Sequence, residues 1–299
     1  MLDGPAVVYR DSLSRGSYWA VHHALVTIAE LLDGEGTDPW TFPWWELAYR
    51  HTARVRRDLV DRYAPATVNK MLTVLRGVLK TCWRLGLMDA ETCRRAADVA
   101  NVRAKTLPAG RGVKRDEVAA LLEVCEADAS PAGRRDGALV AILYGAGLRR
   151  AEVCGLDLAD FDAAGCALSV RAGKGRRDRQ VFLTRGACQL VRAWVTTRGE
   201  EDGPLFCPVD AAGRVRVSRL GGESVHYVLK KRQRQAGLSG ITPHDFRRGM
   251  VSRLLEAGVD VFTVQQLAGH ADAVTTARYD RRGEEARRAA ARLLHLPSA

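Results

Sequence analysis

The stretch from His244 to Tyr279, HDFRRGMVSRLLEAGVDVFTVQQLAGHADAVTTARY, combines groups that bind an oxyanion with one that can attack it. His244 and Arg247 lie three apart in a helix predicted to start after Thr242-Pro243, so both side chains share one face. The helix N-terminus adds the positive end of its dipole there, which favours an anion. HxxR lacks the second ligand that a zinc-binding helix supplies. His270 follows Gly269 at a predicted helix break, where its ring can meet a ligand. Tyr279 is the nucleophile candidate: a phenol is inert until its proton is removed or cations stabilise its oxyanion.

Two more cations stand upstream. Arg149, in GAGLRRAEVCGLDLADFD, follows a glycine-rich break that brings backbone close to a neighbour, and its fork suits a phosphate. Glu152, three residues on, holds Arg149 through an ion pair. Lys174 sits at the tip of a predicted hairpin, RAGKGRRDRQ, and is the only lysine between positions 115 and 229. An amine can give a proton to a departing alkoxide, which a guanidinium cannot. Taken singly, each of these residues also suits a packing or solvated role; the weight lies in the set and its order.

The elements that must position them follow from periodicity. Residues 1–13 carry no clear pattern, and helices are predicted at about 18–32, 44–62, 65–84 and 89–98, giving an all-helical bundle. On the third helix Asn69, Thr73, Arg76, Lys80 and Arg84 repeat at helical spacing and form a polar stripe, either a solvated face or one that meets a phosphate backbone. Residues 101–113, NVRAKTLPAGRGV, are rich in Pro, Gly and basic residues and read as a linker. This divides the chain into 1–100, a helical bundle, the basic linker 101–113, and 114–299, the unit that carries the chemistry. Helices are predicted there at about 114–127, 132–146, 185–198, 222–236, 243–257, 260–268, 272–280 and 284–294. Three short strands are predicted at 156–162, 166–171 and 179–183. The fold class is mainly α with a small antiparallel sheet.

Composition narrows the partner. The chain has 299 residues, long enough for two domains, with 46 Lys+Arg against 35 Asp+Glu and a formal net charge of +11. That excess favours a polyanion, nucleic acid or an acidic membrane surface. The seven cysteines make no CxxC pair, so neither a disulfide framework nor a zinc site is expected, and a reducing cytosol fits. No secretory leader and no membrane-length apolar run is read, and the expected location is the cytoplasm, in association with the nucleoid.

The ordered set Arg149, Lys174, His244-x-x-Arg247, Gly269-His270 and Tyr279 resembles the tyrosine recombinase (phage integrase) family, with the local words GAGLRRAEVCGLDLADFD, GKGRRDRQVFL, TPHDFRRGMVSRLLEAG and LAGHADAVTTARYD. The resemblance covers about 114–296, and the N-terminal bundle is similar to that family's core-binding domain. It implies a two-domain clamp around duplex DNA. It also implies attack by Tyr279 on the scissile phosphate, a 3′-phosphotyrosyl link and release of a 5′-hydroxyl. Arg149, Arg247 and His270 would hold the phosphate oxygens, Lys174 would act as general acid and His244 as acid/base, with neither metal nor ATP. The implied partners are a double-stranded recombination site and other copies of the chain, a dimer per site and a tetramer in synapsis. Lys230, Lys231, Arg232 and Arg234, late in the helix at 222–236, then become candidates for a DNA groove, together with the polar stripe. The last helix either closes its own core or docks on a neighbouring subunit. Two further readings fit the same residues: a non-cleaving DNA-binding protein on this scaffold, and a relaxing topoisomerase of the same chemistry.

Overall fold

The computed structural model describes residues 4–13, 15–103, 110–171 and 178–269, together with Thr276, Ala277 and Tyr279. Lys174, His270 and the helices expected at 272–280 and 284–294 lie outside the described residues, apart from those three positions. Contacts divide the chain into two compact units, Met1–Pro108 and Ala109–Ala299.

The first unit is helical: α1 Pro5–Asp11, α2 Tyr18–Asp33, α3 Tyr49–Arg62, α4 Pro65–Arg84 and α5 Ala90–Ala97. Helix α4 is its axis. Pro65 opens it at a position where no N–H is needed. Val68, Met71, Leu72, Leu75, Leu79 and Cys82 then form a buried stripe at i, i+3, i+4 spacing. Asp89 caps α5 by accepting from the N–H groups of Glu91 (3.0 Å) and Thr92 (2.9 Å). Two expectations change. Residues 5–11 form a helix that is too short to show periodicity; the Tyr9 ring lies where a Cβ on Gly77 of α4 would sit. The helix expected over 44–62 starts only at Tyr49. Trp44 lies in a short 3-10 turn, where its ring is fully buried and its Nε1 donates to Pro39 O (2.8 Å).

The second unit comprises α6 Arg115–Glu126, α7 Pro131–Gly145, α8 Arg150–Gly155, β1 Phe161–Asp162, β2 Ala167–Val170, β3 Arg179–Phe182, α9 Arg185–Arg198, α10 Gly222–Gln235, α11 Pro243–Glu256 and α12 Val261–Ala268. Helix α7 is buried from Gly133 to Leu143 apart from Arg134, and is apolar all round from Gly137 to Leu143. A helix of that composition belongs at the centre, and α6, α8, α9, α10 and α11 all pack on it. The strands form an antiparallel sheet in the order β1-β2-β3, with Leu168 opposite Val181 and Val170 opposite Arg179. The first strand is shorter than expected, because Leu158–Asp160 winds into a 3-10 turn and Asp157 bridges to Pro204.

The cysteine expectation is corrected. Cys166 and Cys188 form a disulfide, with their Cα atoms 5.5 Å apart. It ties the turn before β2 to the first turn of α9. A separation of 22 residues with no motif gave no sign of it; the pairing arises because the hairpin folds back against α9.

Candidate active site

The site is assembled from the ends of helices. After α7 the chain turns through Gly147, whose φ of +59° lies in the left-handed region. A Cβ there would lie 2.2 Å from the end of the Met250 side chain, which is flexible and can shift, so it is the backbone conformation that favours glycine. The turn delivers Arg149 to the N-cap of α8. There Glu152 makes a reciprocal cap: its Oε2 accepts from Arg149 N–H (2.8 Å) and its Oε1 from Arg149 Nη1 (2.7 Å).

Helix α11 starts similarly. Asp245 accepts from Thr242 N–H (2.8 Å) and from the Thr242 hydroxyl (2.6 Å), fixing the first turn on which His244 sits. Arg247, one turn on, is 2% exposed and reaches across to Gly147 O through Nη1 (2.9 Å). Burial, followed by the nearby Arg149, lowers its pKa to about 10; Glu152 and Tyr279 oppose that fall. The phenol of Tyr279 is therefore within electrostatic reach of Arg247. His244 is open to solvent, yet partial burial and the guanidiniums of Arg248 and Arg247 hold its pKa below the usual imidazole value.

The end of α12 brings these groups together. Three successive carbonyls at its C-terminus each accept from a different arginine: Leu267 O from Arg179 Nε (3.3 Å), Ala268 O from Arg247 Nη2, and Gly269 O from Arg149 Nη2 (2.7 Å). The last carbonyls of a helix have no partner within it and carry the negative end of its dipole, so they hold cations that would otherwise repel one another. Gly269 closes the helix with φ of +62°, which allows the chain to leave at once toward position 270. Tyr279 donates its N–H to Thr276 O (3.0 Å), and its side chain packs against the cluster of Met250, Val251, Leu255, Val264 and Ala268.

Arg149, Glu152, His244, Arg247 and Tyr279 thus gather in one place, while Lys174 and His270 lie outside the described residues. Arg179 was missed. It heads β3 and binds both oxygens of Glu152, Nη1 to Oε1 at 3.1 Å and Nη2 to Oε2 at 2.9 Å. Burial works to raise the Glu152 pKa, but the bonds from Arg179 and Arg149 outweigh it and bring the pKa down to about 2.

The residues expected to meet DNA divide. Thr73, Lys80 and Arg84 are exposed. Asn69 and Arg76 instead hold the end of the first unit. Asn69 exchanges two hydrogen bonds with the Val102 backbone (2.7 and 3.0 Å), and Arg76 donates to Val99 O (2.6 Å) and Asn101 Oδ1 (2.8 Å). On α10, Lys230 and Arg234 are exposed and Lys231 is half-buried. Arg232 is the correction: it is fully buried, paired with Asp136 (2.8 Å) and Asp128 (2.6 Å), and so belongs to the core and not to a groove surface. Among the described residues no group of three or more His, Cys, Asp or Glu side chains is placed to hold a metal, and no helix is long and apolar enough to cross a membrane.

A model described as the phage integrase family matches residues 111–285, more than half of the chain. The tyrosine recombinase XerA of Thermococcus kodakarensis is 36% identical over 175 residues, 58% of this chain and 58% of that protein, so the match spans a little over half of that relative. XerA of Thermococcus onnurineus is 33% identical over 233 residues, 78% of this chain and 75% of that protein. The Tn1549 transposon integrase, solved in complex with transposon right end DNA, shares the fold with a TM-score of 0.70 at 15% identity, over 97% of this chain and 99% of that one. The chain belongs to the phage integrase family.

Proposed function

We propose that the chain is a site-specific DNA recombinase that cuts and rejoins duplex DNA through a covalent bond to Tyr279. The observation that carries the reading is the pair of guanidiniums, Arg149 and Arg247, held side by side on the last carbonyls of α12 within reach of Tyr279. In the reaction, the Tyr279 oxygen forms a bond to the scissile phosphorus and the bond from phosphorus to the 5′-oxygen breaks. Arg149 and Arg247 take the non-bridging oxygens as negative charge builds on them. The phenol proton passes to a base, for which His244 is suited because its lowered pKa keeps the ring neutral near pH 7. Lys174 protonates the departing 5′-oxygen, and His270 adds a hydrogen bond to the phosphate. Attack by a 5′-hydroxyl on the phosphotyrosine reverses these steps and rejoins a strand. The phosphodiester energy is kept in the covalent link, so ATP has no part.

Both XerA relatives carry the name tyrosine recombinase, and solved structures of this fold include a lambda integrase dimer bound to a core site. By the same reading, residues 1–100 and 114–299 act as two domains joined by a basic linker, each meeting the duplex, with two copies per site and four in synapsis. Thr73, Lys80, Arg84, Lys230, Lys231 and Arg234 are the contacts proposed for it. The test is incubation of the full chain with a library of nicked duplexes, followed by denaturing electrophoresis. A covalent adduct is expected that disappears in Tyr279→Phe while the gel shift on intact duplex remains. Absence of an adduct across the library leaves a DNA-binding module. Relaxation of supercoils without joining of two sites identifies a topoisomerase.

A further inference from the structure

Among the described residues, one carboxylate, Glu152, and three guanidiniums, Arg149, Arg179 and Arg247, meet at the centre of this site. Glu152 accepts four N–H groups, two from Arg149 and two from Arg179, so each oxygen is shared between the two arginines. Arg179 is 14% exposed at its side chain and is anchored by the sheet, where it stands opposite Val170. Its third bond, from Nε to Leu267 O, reaches the carbonyl next to those held by Arg247 and Arg149. A Cβ on Gly269 would lie 2.8 Å from the Arg179 guanidinium carbon, so that guanidinium packs flat against the turn that ends α12.

We propose that Arg179 is a positioning residue for the phosphate clamp, fixing the Glu152 carboxylate that aims Arg149 and locking the end of α12 that Arg149 and Arg247 both grip. The proposal rests on the recombinase reading above. Arg179 need not touch the phosphate to matter. Among the described residues, three guanidiniums against one carboxylate leave an excess of positive charge, which suits the doubly negative transition state that attack of a phenolate on a phosphodiester creates. Without Arg179, Glu152 belongs to Arg149 alone, and that ion pair sets the carboxylate in competition with the phosphate for the same fork. The carboxylate also loses the partner that fixes its plane, and the fork of Arg149 follows it. Residues that orient a catalytic ligand in this way typically matter by one to two orders of magnitude.

The experiment is single-turnover adduct formation on the nicked-duplex library. The full chain is compared with Arg179→Met, Arg179→Lys, Glu152→Gln and the double variant Arg179→Met/Glu152→Gln, with DNA affinity and melting temperature measured for each. Arg179→Met is expected to slow adduct formation by about tenfold or more while affinity stays within about threefold. Arg179→Lys restores the charge but not the two-pronged bond, and is expected to fall between Met and wild type. The double variant is expected to be no slower than the slower single variant, because both substitutions break the same chain of contacts. An Arg179→Met rate within threefold of wild type overturns the proposal, as do rate losses that multiply in the double variant or an affinity loss as large as the rate loss. If Arg179→Met does not fold, the Lys variant decides: a wild-type rate there overturns the proposal. An adduct that needs Tyr279 but is indifferent to Arg179 removes this proposal alone, whereas no adduct with the wild-type chain removes the recombinase reading and this proposal with it.

Discussion

Arg232 stands in a basic run, KKRQR, that reads as a DNA contact, and the structure assigns it to the core instead. Replacing it with methionine keeps the aliphatic stem and removes the charge. Asp136, 1% exposed, would lose the partner of its Oδ2 but keep Arg135, which donates to its Oδ1 from Nε (2.9 Å) and Nη2 (2.7 Å). Asp128 is 27% exposed at its side chain and can turn to water. Breaking a buried pair costs about 3–5 kcal/mol, and the surviving Arg135 contact places Arg232→Met near the lower end, about 3 kcal/mol. Arg232→Ala adds the lost packing of roughly three methylenes at about 0.8 kcal/mol each, for a total near 5 kcal/mol. With a urea slope of about 2–3 kcal/mol/M, the Met variant's midpoint should fall by about 1 M or more in pulse proteolysis. The deficit has a pH signature. Burial pushes the Asp128 pKa up, but bonds from Ser130 and Arg232 bring it down to about 2, so its contribution is full above its usual 3.8 and lost as pH falls through about 2. Salt dependence of DNA binding should not change, because no phosphate contact is removed; loss of an exposed contact such as Lys230 should flatten the slope by about one. An unchanged urea midpoint together with a flattened salt slope would refute the assignment.

Two more outcomes follow from the same contacts. Partial burial and two neighbouring guanidiniums keep His244 deprotonated at neutral pH, so its ring should titrate below 6.5 by NMR. Arg248→Ala should move that midpoint upward by removing a nearby positive charge, and a downward or absent movement would mean that Arg248 does not act on the ring. Replacing both Cys166 and Cys188 with serine should lower stability by about 3 kcal/mol without reductant, on the entropy of a closed loop of this size, and by little when wild type and variant are both reduced. A difference that persists in reductant would assign the loss to packing of the two side chains.

What the sequence displays and what it hides divide along physical lines. His244 and Arg247 are legible because helical spacing alone puts them on one face. Arg149 is legible only through the set: an arginine beside a glycine break is more often structural, and the ordered HxxR, Gly-His and Tyr downstream single it out. Arg179 sits among Arg176, Arg177 and Asp178, and nothing local separates it from its neighbours. Its role depends on Glu152, 27 residues away, and on Leu267, 88 residues away. Asn69 and Arg76 lie at correct helical spacing, but spacing cannot reveal that residues 99–102 return to cover them. The burial of Arg232 is itself visible in the pattern: Val225, Val228, Leu229 and Arg232 share one face at i, i+3, i+4 spacing, so the arginine falls on the apolar side of its helix.

The end of α12 also determines how the site should respond to change. Arg149 uses one N–H on Gly269 O and one on Glu152; Arg247 uses one on Ala268 O and one on Gly147 O. A guanidinium has five donors, so these bonds orient each fork without exhausting it. On the proposed reading, forks held in this way before a phosphate arrives should leave little reorganisation for the moment of reaction. Because adjacent carbonyls set the spacing of the two forks, a shift at the end of α12 misaligns both arginines together. If the two arginines clamp the phosphate as proposed, the penalty of such a shift should fall on the chemical step, while DNA affinity, assigned above to exposed residues such as Lys80, Arg84 and Lys230, should stay nearly unchanged.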